Sequence, residues 1–264
     1  MKVGKAIYNI LSQSTDVQSN FPFNTTDYAP TGTELVTNGD FSAGGADWTI
    51  INDGTASSYF GENKVQLVTS GDFTQITQLQ TIDLGASYKY SFEVVDFVSG
   101  SAVFQIGGAT VVSGINEERV YSGYYTSTTG NDHLLFKREV TVDLGITNIS
   151  LEEMVLTKIF PELAPPDIDA PYIVYSVVSN SPSETKNANG DIDTANIEVY
   201  GFQDTYNKAV DLGVSVRAAL DRKTGTYNTI QIQSTNYVNE QMDVNEARKL
   251  WAAIQDYSIR IKNI

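Results

Sequence analysis

The sequence predicts an α+β domain, with two helices on a small mixed sheet, into which an all-β sandwich is inserted. Three observations lead to this fold class: a helical pattern at the start of the chain, strand-like runs from about residue 30 to 157, and a second helical pattern flanked by strands at the end. A helix with one apolar stripe needs a surface to cover it, so we expect the first and last parts to pack together. The predicted domains are therefore 1–28 with 157–264, and 29–156.

The first element is a helix. Its apolar residues recur at spacings of three and four, which places them on one face: Val3, Ala6, Ile7, Ile10 and Leu11. Polar and turn-forming residues from 12 to 24, Pro22 among them, end this helix.

The middle segment reads as short strands separated by Gly, Asn, Asp and Ser. Apolar and polar residues alternate clearly through 88–94, as expected for a half-buried strand. Many short strands at this spacing are typical of an antiparallel sandwich. The predicted strands are 64–69, 76–84, 88–97, 102–106, 118–126, 134–142 and 149–156.

The last segment predicts strand, strand, helix, strand and strand. A proline-rich extended stretch enters a strand at Tyr172, and a turn-rich run over 181–191 leads to a second strand. Asp204 can cap a following helix, because its carboxylate can accept hydrogen bonds from first-turn amides. The remaining predictions are a strand at 195–202, a helix at 205–221, a turn at 225–228 and strands at 229–237 and 249–262.

Composition excludes several classes of function. The 264 residues carry 17 Lys and Arg against 32 Asp and Glu, a net charge of -15. Tight non-specific binding to nucleic acid needs clustered cations, so it is not expected. There is no cysteine, which removes disulfides and thiolate chemistry. No apolar run is long enough for a membrane span, and residues 1–11 lack the features of a signal peptide, so we expect assembly in a host cytoplasm.

The outer segments resemble the phage tail completion family. The residues that carry the resemblance are GKAIYNILS (4–12), IFPELAPPD (159–167) with PYIVY (171–175), DTANIEVYGFQDTYNKAVDLGVSVRAALD (193–221) and WAAIQDYSIRIK (251–262). The resemblance covers about 1–24 and 157–264. It implies subunits that form a ring, usually six-fold, that ends the tail tube and docks on the head connector. The middle segment lies where the family has a short link.

The middle segment resembles the jelly roll of carbohydrate-binding modules. Its opening, ELVTNGDFSAGGADWT (34–49), and its end, NISLEEMVLT (148–157), carry this resemblance. The resemblance implies a structural calcium ion in many such modules, but the corresponding positions here are Ser42 and Asn148. Asp40, Asp47 and Asp53 could offer oxygen ligands to a hard cation, or simply be solvated. We expect no other cofactor.

Catalytic constellations are poorly represented. His133 is the only histidine, and we expect it in a solvent-facing loop rather than in a Ser-His-Asp triad. Adjacent pairs such as Glu117 and Glu118 point to opposite faces of a strand, so they do not indicate a glycosidase pair. We therefore predict that the protein is not an enzyme.

Four aromatic residues are candidates for glycan contact. Trp48 could stack on a sugar ring or belong to the core of the opening motif. Tyr121, Tyr124 and Tyr125 could form an exposed aromatic surface, or pack within the sheet.

The candidate subunit interface lies in the outer segments. A ring needs one surface that meets a different surface of the next copy. Charged residues on or just after the second helix could form ion pairs between subunits, or face solvent, and the proline-rich arm could be completed by a neighbour. The named positions are Lys208, Asp211, Arg217, Arg222, Pro161 and Pro165.

We predict a tail terminator of the virion, a structural protein located at the head–tail junction. Its expected partners are its own copies, the tail tube protein and a head connector or head completion protein, and no membrane is involved. The resemblance implies six copies. The acidic middle segment would decorate the ring, since it holds five Lys and Arg against 16 Asp and Glu. The alternatives are a carbohydrate-binding virion protein that recognises host glycans, and another neck or tube subunit.

Overall fold

The computed structural model describes residues 2–21, 24–183, 192–227 and 229–262. The chain divides into two compact units: Met1–Ala29 with Val155–Ile264, called the outer unit, and Pro30–Met154, called the insert. The predicted turn at 181–191 lies mostly outside the described residues, as do Pro22 and residue 228.

Two helices begin the outer unit, α1 (Lys2–Gln13) and α2 (Thr15–Gln18). The predicted stripe on α1 is buried, with Ala6, Ile7 and Leu11 wholly inaccessible. The prediction of this helix is therefore confirmed. Ser14 caps the N-terminus of α2, where its hydroxyl accepts a hydrogen bond from the Val17 amide at 3.4 Å.

The insert forms one nine-stranded sheet. The strands follow the path β2-β5-β9-β4-β3, and β1 pairs with β9 while β6 pairs with β7, β8 and β9. Their bounds are β1 (Tyr28–Glu34), β2 (Thr49–Asn52), β3 (Tyr59–Gly61), β4 (Lys64–Thr69), β5 (Thr74–Leu79), β6 (Ser87–Ile106), β7 (Ala109–Ile115), β8 (Arg119–Thr126) and β9 (His133–Leu156).

Two long strands, β6 and β9, distinguish this sheet from the predicted sandwich. They pair along most of their length, with shifts of register near Val95 and Gly100. We expected turns there, but Gly100 lies inside β6 with a φ of 82°. A Cβ at this position would approach the Thr141 carbonyl oxygen to 1.7 Å, so only glycine fits. Gly100 therefore marks an irregularity within β6 and not the end of a strand. The predicted strands 88–97 and 102–106 merge into β6, and 134–142 and 149–156 merge into β9.

Aromatic rings fill the centre of the insert. Phe104 lies 4.6 Å from Phe136 and 5.1 Å from Phe92, measured between ring centroids, and all three are inaccessible. The alternation predicted through 88–94 is confirmed, since Tyr88, Phe92 and Val94 are buried.

The rest of the outer unit is a six-stranded sheet with a third helix. The order is β10-β11-β12-β15-β14-β13, antiparallel except for the parallel pair of β10 and β11. The bounds are β10 (Ile159–Pro161), β11 (Tyr172–Ser183), β12 (Ile192–Gln203), α3 (Tyr206–Leu220), β13 (Gly225–Tyr227), β14 (Ile230–Asn245) and β15 (Leu250–Lys262).

Helices α1 and α3 contact each other, and both contact strands of this sheet. The face of β15 that meets α3 carries Ala253, Gln255 and Tyr257, each about 1% exposed. Gly213 of α3 lies against this face, and a Cβ there would be 2.9 Å from the Ala253 Cβ. The glycine therefore permits the close approach of α3 to the sheet.

The predicted α+β class is wrong. The structure is mostly β, with 57% strand and 12% helix. The outer sheet has six strands instead of four, and several run well beyond their predicted ends. Residues 238–245 of β14, for example, are largely exposed, yet their backbone pairs with β15. Backbone hydrogen bonds sustain such a strand without a buried side-chain pattern.

The helices of the described residues include none that is both long and apolar enough to cross a membrane.

Candidate functional site

The charged residues predicted on α3 do not form one cluster. The Lys208 ammonium pairs with the Asp204 carboxylate one turn earlier, at 3.0 Å, and both side chains are more than half exposed. Asp211 is exposed on the same helix. An exposed pair of this kind stabilises the fold by little, so Lys208 could exchange its partner at an interface.

The two predicted arginines differ in their surroundings. The Arg217 guanidinium carbon lies 3.9 Å from the centroid of the Tyr237 ring within the same subunit, a cation–π contact. Arg222 is 90% exposed, with its Nε 3.9 Å from the Asp221 carboxylate. Of the four positions, Arg222 is the most accessible to a neighbouring molecule.

The proline-rich segment is not a free arm. Pro161 ends β10, which pairs with β11, and the Glu162 amide donates to the Tyr175 carbonyl oxygen at 2.8 Å. Pro161 and Pro165 are exposed. The backbone of the first part of this segment is thus completed by its own sheet rather than by a neighbour.

An aromatic groove lies on the sheet beside this segment, with a cavity of about 320 Å³. Tyr172 and Phe202 stack at 4.6 Å, and Tyr200 lies 6.3 Å from Phe202. The Arg248 guanidinium donates to the Tyr172 hydroxyl at 3.2 Å. A hydrogen bond to the Glu198 carboxylate, together with burial, raises the pKa of Tyr200 to about 12. Sequence reasoning missed this groove, because only the register of β11 and β12 brings the three rings together.

One edge of the outer sheet is β11. Strand β10 covers only Ile173–Tyr175, and no strand of the described residues pairs with 176–183 on that side. Val178 lies at a bulge on this edge and is 59% exposed. The Val177 amide on this edge donates to the Glu162 carboxylate at 3.5 Å. The edge therefore offers an apolar side chain and a backbone that no described strand pairs with.

The opposite edge is β14. Strand β13 covers its first three residues, and loop groups of Asp221 and Arg222 bond to Tyr237 and Thr235. Beyond these, no strand within the described ranges pairs with 238–245 except β15. Val238 lies at a bulge here as well and is 62% exposed.

The predicted glycan residues of the insert are placed differently from one another. Trp48 is buried, with its indole nitrogen donating to the Thr37 and Asn38 carbonyl oxygens at 3.1 and 3.2 Å. Its ring packs on Phe41 at 5.4 Å, so no ring face is available to a sugar. The core interpretation of Trp48 fits this position.

The three tyrosines of β8 alternate between faces. Tyr121 is 6% exposed and stacks on Phe92 at 5.0 Å, whereas Tyr124 is 44% exposed on the other face. Tyr125 is half-buried, and its hydroxyl lies 3.4 Å from the Thr128 hydroxyl. Adjacent strand positions point to opposite faces, so the three tyrosines do not form one aromatic surface.

A cleft of about 460 Å³ lies between β7 and β8. Its lining includes Tyr121 and Ser122 of β8 and Ser113 of β7, and the Arg119 guanidinium lies 4.2 Å above the Tyr121 ring. Hydroxyl groups, a guanidinium and a partly covered ring are the groups that bind polyols.

The three aspartates that could offer oxygen ligands to a hard cation do not come together. Asp40, Asp47 and Asp53 belong to no group of three Asp, Glu, His or Cys placed to hold a metal ion in the described part of the chain. The Asp40 carboxylate accepts the Ser42 amide and hydroxyl at 3.1 and 2.9 Å, and these bonds lower its pKa.

A polar cavity of about 450 Å³ contains Asp40, Ser42 and Asn148. The cation in it is the Lys64 ammonium, which pairs with the Glu62 and Asp96 carboxylates. The hydrogen bond to Asp96, followed by the one to Glu62, raises the pKa of Lys64 against the effect of burial.

His133 begins β9 and is exposed, with its Nδ1 3.1 Å from the Asn131 amide oxygen. Asn131 is a neighbouring loop residue. The hydrogen bonds of the described residues do not link His133 to a serine and an aspartate as a triad would.

Comparison with known proteins indicates a phage structural protein, and the similarity lies in the last part of the chain. Residues 147–262 match the family model of tail completion protein gp17. The predicted resemblance to the tail completion family is confirmed over these residues. The match also supports a virion location and a structural rather than catalytic role.

Several solved structures share weaker similarity. A chain of the virion of the native gene transfer agent particle is 10% identical, with 40% of this chain and 80% of that chain covered and a TM-score of 0.33. The tandem CBM22-1-CBM22-2 domain of Paenibacillus barcinonensis Xyn10C is 11% identical, with 89% of this chain and 86% of that chain covered and a TM-score of 0.38. The enzymatically active domain of bacteriophage CBA120 tailspike protein 4 is 16% identical, with 46% of this chain and 21% of that chain covered and a TM-score of 0.35. No curated protein matches the chain in sequence.

Proposed function

We propose that the protein is a tail terminator, whose copies join into a closed ring at the head-proximal end of the tail tube. The ring would end tube growth and present a docking face to the head connector or a head completion protein. The family match over 147–262 supports a tail completion role. The observation that carries the ring itself is the pair of uncovered strand edges, β11 and β14, on opposite sides of one sheet.

Two different edges provide the kind of contact that a ring requires. Edge β11 of one copy can meet edge β14 of the next, and this heterologous contact repeats until the rotation closes. Both edges carry a stretch of backbone that no described strand pairs with, and an exposed valine at a bulge. We expect six copies from the resemblance, with the insert outside the contact. No covalent chemistry is part of this function.

Assembly should depend on the strand edges more than on α3. Lysine at position 178 or 238 would place an ammonium in the contact, so V178K and V238K should each reduce ring yield about tenfold or more. V214K is a matched control, because Val214 is 63% exposed on α3. Light scattering and negative-stain electron microscopy, with and without tail tube protein, measure the yield.

The outcomes separate the interfaces and the rival functions. If V214K blocks assembly while V178K and V238K assemble normally, the interface is α3 with Lys208, Asp211, Arg217 and Arg222. Long cylinders instead of rings would indicate a tube subunit. A chain that stays monomeric even with tube protein would contradict the terminator proposal.

Carbohydrate binding is the second candidate function, and the cleft between β7 and β8 favours it. If the cleft binds a surface glycan of the host, the full chain should be retained on that polysaccharide in affinity electrophoresis. R119A should reduce retention about tenfold, because it removes a charged donor and uncovers the Tyr121 ring. K137A, on the neighbouring strand β9, is the control. Equal retention of both variants would exclude this cleft as the binding site.

A further inference from the structure

Lys64 lies at a junction of chain-distant segments in the insert. Its ammonium is 3.2 Å from the Glu62 carboxylate and hydrogen-bonds to the Asp96 carboxylate. Glu62 belongs to the turn between β3 and β4, and Asp96 to the irregular part of β6. The opening loop with Asp40 and Ser42, and Asn148 of β9, line the same cavity. We call these residues the Lys64 junction.

The lysine is the largely buried member of the junction, and its two carboxylate partners are exposed. Its side chain is 12% exposed, whereas those of Glu62 and Asp96 are 86% and 59% exposed. The aliphatic stem packs over β9, since a Cβ at Gly145 would lie 3.0 Å from the Lys64 Cδ. A fixed stem holds the ammonium in place, which reduces the entropy that an exposed ion pair usually loses.

Other polar side chains of the junction have separate partners. The Thr147 hydroxyl donates to the Asn63 carbonyl oxygen at 2.7 Å, and the Asn148 amide donates to the Glu93 carboxylate at 2.8 Å. The Asp40 carboxylate is used by Ser42. Glu62 and Asp96 are the carboxylates that converge on the lysine.

We propose that the Lys64 ammonium is the built-in cation of this junction, beside the positions, Ser42 and Asn148, that the resemblance aligns with the calcium site of many such modules. One positive charge linked to two carboxylates ties the β3–β4 turn to β6 without a metal ion. The carboxylates of this cavity are already engaged, since Asp40 accepts from Ser42 while Glu62 and Asp96 pair with Lys64. Ser42 and Asn148 add no further carboxylate, so no carboxylate of the lining is left without a partner for calcium. The insert is therefore independent of calcium, and its loop geometry depends on Lys64.

Thermal unfolding of the full chain tests this proposal. K64M keeps most of the stem and loses the charge, so it should lower the melting temperature of the insert by about 3 °C, and less at high salt. K64R should stay near the parent protein. The parent protein should melt within about 1 °C of the same temperature in millimolar calcium and in chelator, because no bound ligand is lost.

The matched control is K89M. Lys89 is 45% exposed and lies 3.9 Å from the Glu152 carboxylate, so its loss should change the melting temperature by about 1 °C or less. The proposal is overturned if calcium raises the melting temperature of the parent protein by several degrees. It is also overturned if K64M melts like K89M, or if the effect of K64M is unchanged in molar salt, which would assign it to packing.

Discussion

Replacing Gly213 with valine should selectively unfold the outer unit. The first atom of a side chain at this position would lie 2.9 Å from the Ala253 Cβ, 3.2 Å from the Gln255 amide nitrogen and 3.2 Å from the Glu240 carboxylate. The contact is between a helix and the middle of a sheet, so neither side can move away cheaply. Overpacking of this kind costs about 1–3 kcal/mol.

The valine would also break a buried hydrogen-bond network. The Gln255 side chain, 1% exposed, donates to the Gly213 carbonyl oxygen at 2.7 Å and to the Glu240 carboxylate. It accepts a hydrogen bond from the Tyr257 hydroxyl at 2.6 Å, and burial raises the pKa of that tyrosine. Each buried polar group left without a partner costs about 1–3 kcal/mol. A total loss of about 4 kcal/mol approaches the whole stability of a small domain.

Hydrogen exchange read by mass spectrometry can locate this effect. In G213V, amides of α3 and β15 should lose protection while those of β6 and β9 in the insert keep theirs. A218V is the control, because Ala218 is exposed on the same helix and valine there costs only its lower helix propensity, about 0.6 kcal/mol. Equal protection in G213V and A218V would mean that α3 can move away from β15, contrary to the packing seen here.

Local patterns predicted the helices well and the sheets less well. The stripe on α1 and the helix at 205–221 correspond to α1 and α3, because a helix is specified by residues three and four apart. The merged strands β6 and β9 were not predicted, because Gly100 suggests a turn unless the close approach of Thr141 is known. The largely exposed residues 238–245 were also missed, because their strand is held by hydrogen bonds to the backbone of its partner.

The candidate sites depended still more on long-range pairing. The sequence left open whether Tyr121, Tyr124 and Tyr125 form an exposed surface or pack within the sheet. The alternation of β8 separates them, with Tyr124 exposed and Tyr121 buried. The aromatic groove needed the register of Tyr172 with Phe202, which lie thirty residues apart in the chain. The pairing of Lys64 with Asp96 likewise follows from the packing of β4 near β6 and from no local motif.

Excising the insert should leave the outer unit folded. Within the outer unit, the Asp27 carbonyl oxygen accepts both the Thr157 amide and hydroxyl at 2.8 Å. The Lys158 ammonium pairs with the Asp27 carboxylate at 3.1 Å, and both side chains are about 15% exposed or less. Residues 27 and 157 are thus hydrogen-bonded neighbours, and the gap left by removing Pro30–Met154 can be closed by a short Gly-Ser linker.

The excised protein should keep the hydrogen-exchange protection of α3 and β15 and form rings with the same number of subunits as the full chain. D27N in the excised protein should lower its melting temperature, because it leaves the partly buried Lys158 ammonium without its carboxylate. D167N is the matched control, because Asp167 is exposed and takes part in no ion pair of the described residues.

The result also decides which unit carries which function. An unfolded excision product would show that the outer unit needs the insert for stability, contrary to the closed hydrogen bonds at 27 and 157. A folded product that no longer forms rings would move the proposed contact from the β11 and β14 edges to the insert. A folded product that forms rings but loses glycan retention would make assembly and carbohydrate binding separate properties of the two units.

Most of the negative charge would leave with the insert, since the remainder holds 12 Lys and Arg against 16 Asp and Glu. Rings of the excised protein should therefore tolerate low salt better than rings of the full chain, because repulsion between neighbouring acidic inserts is removed.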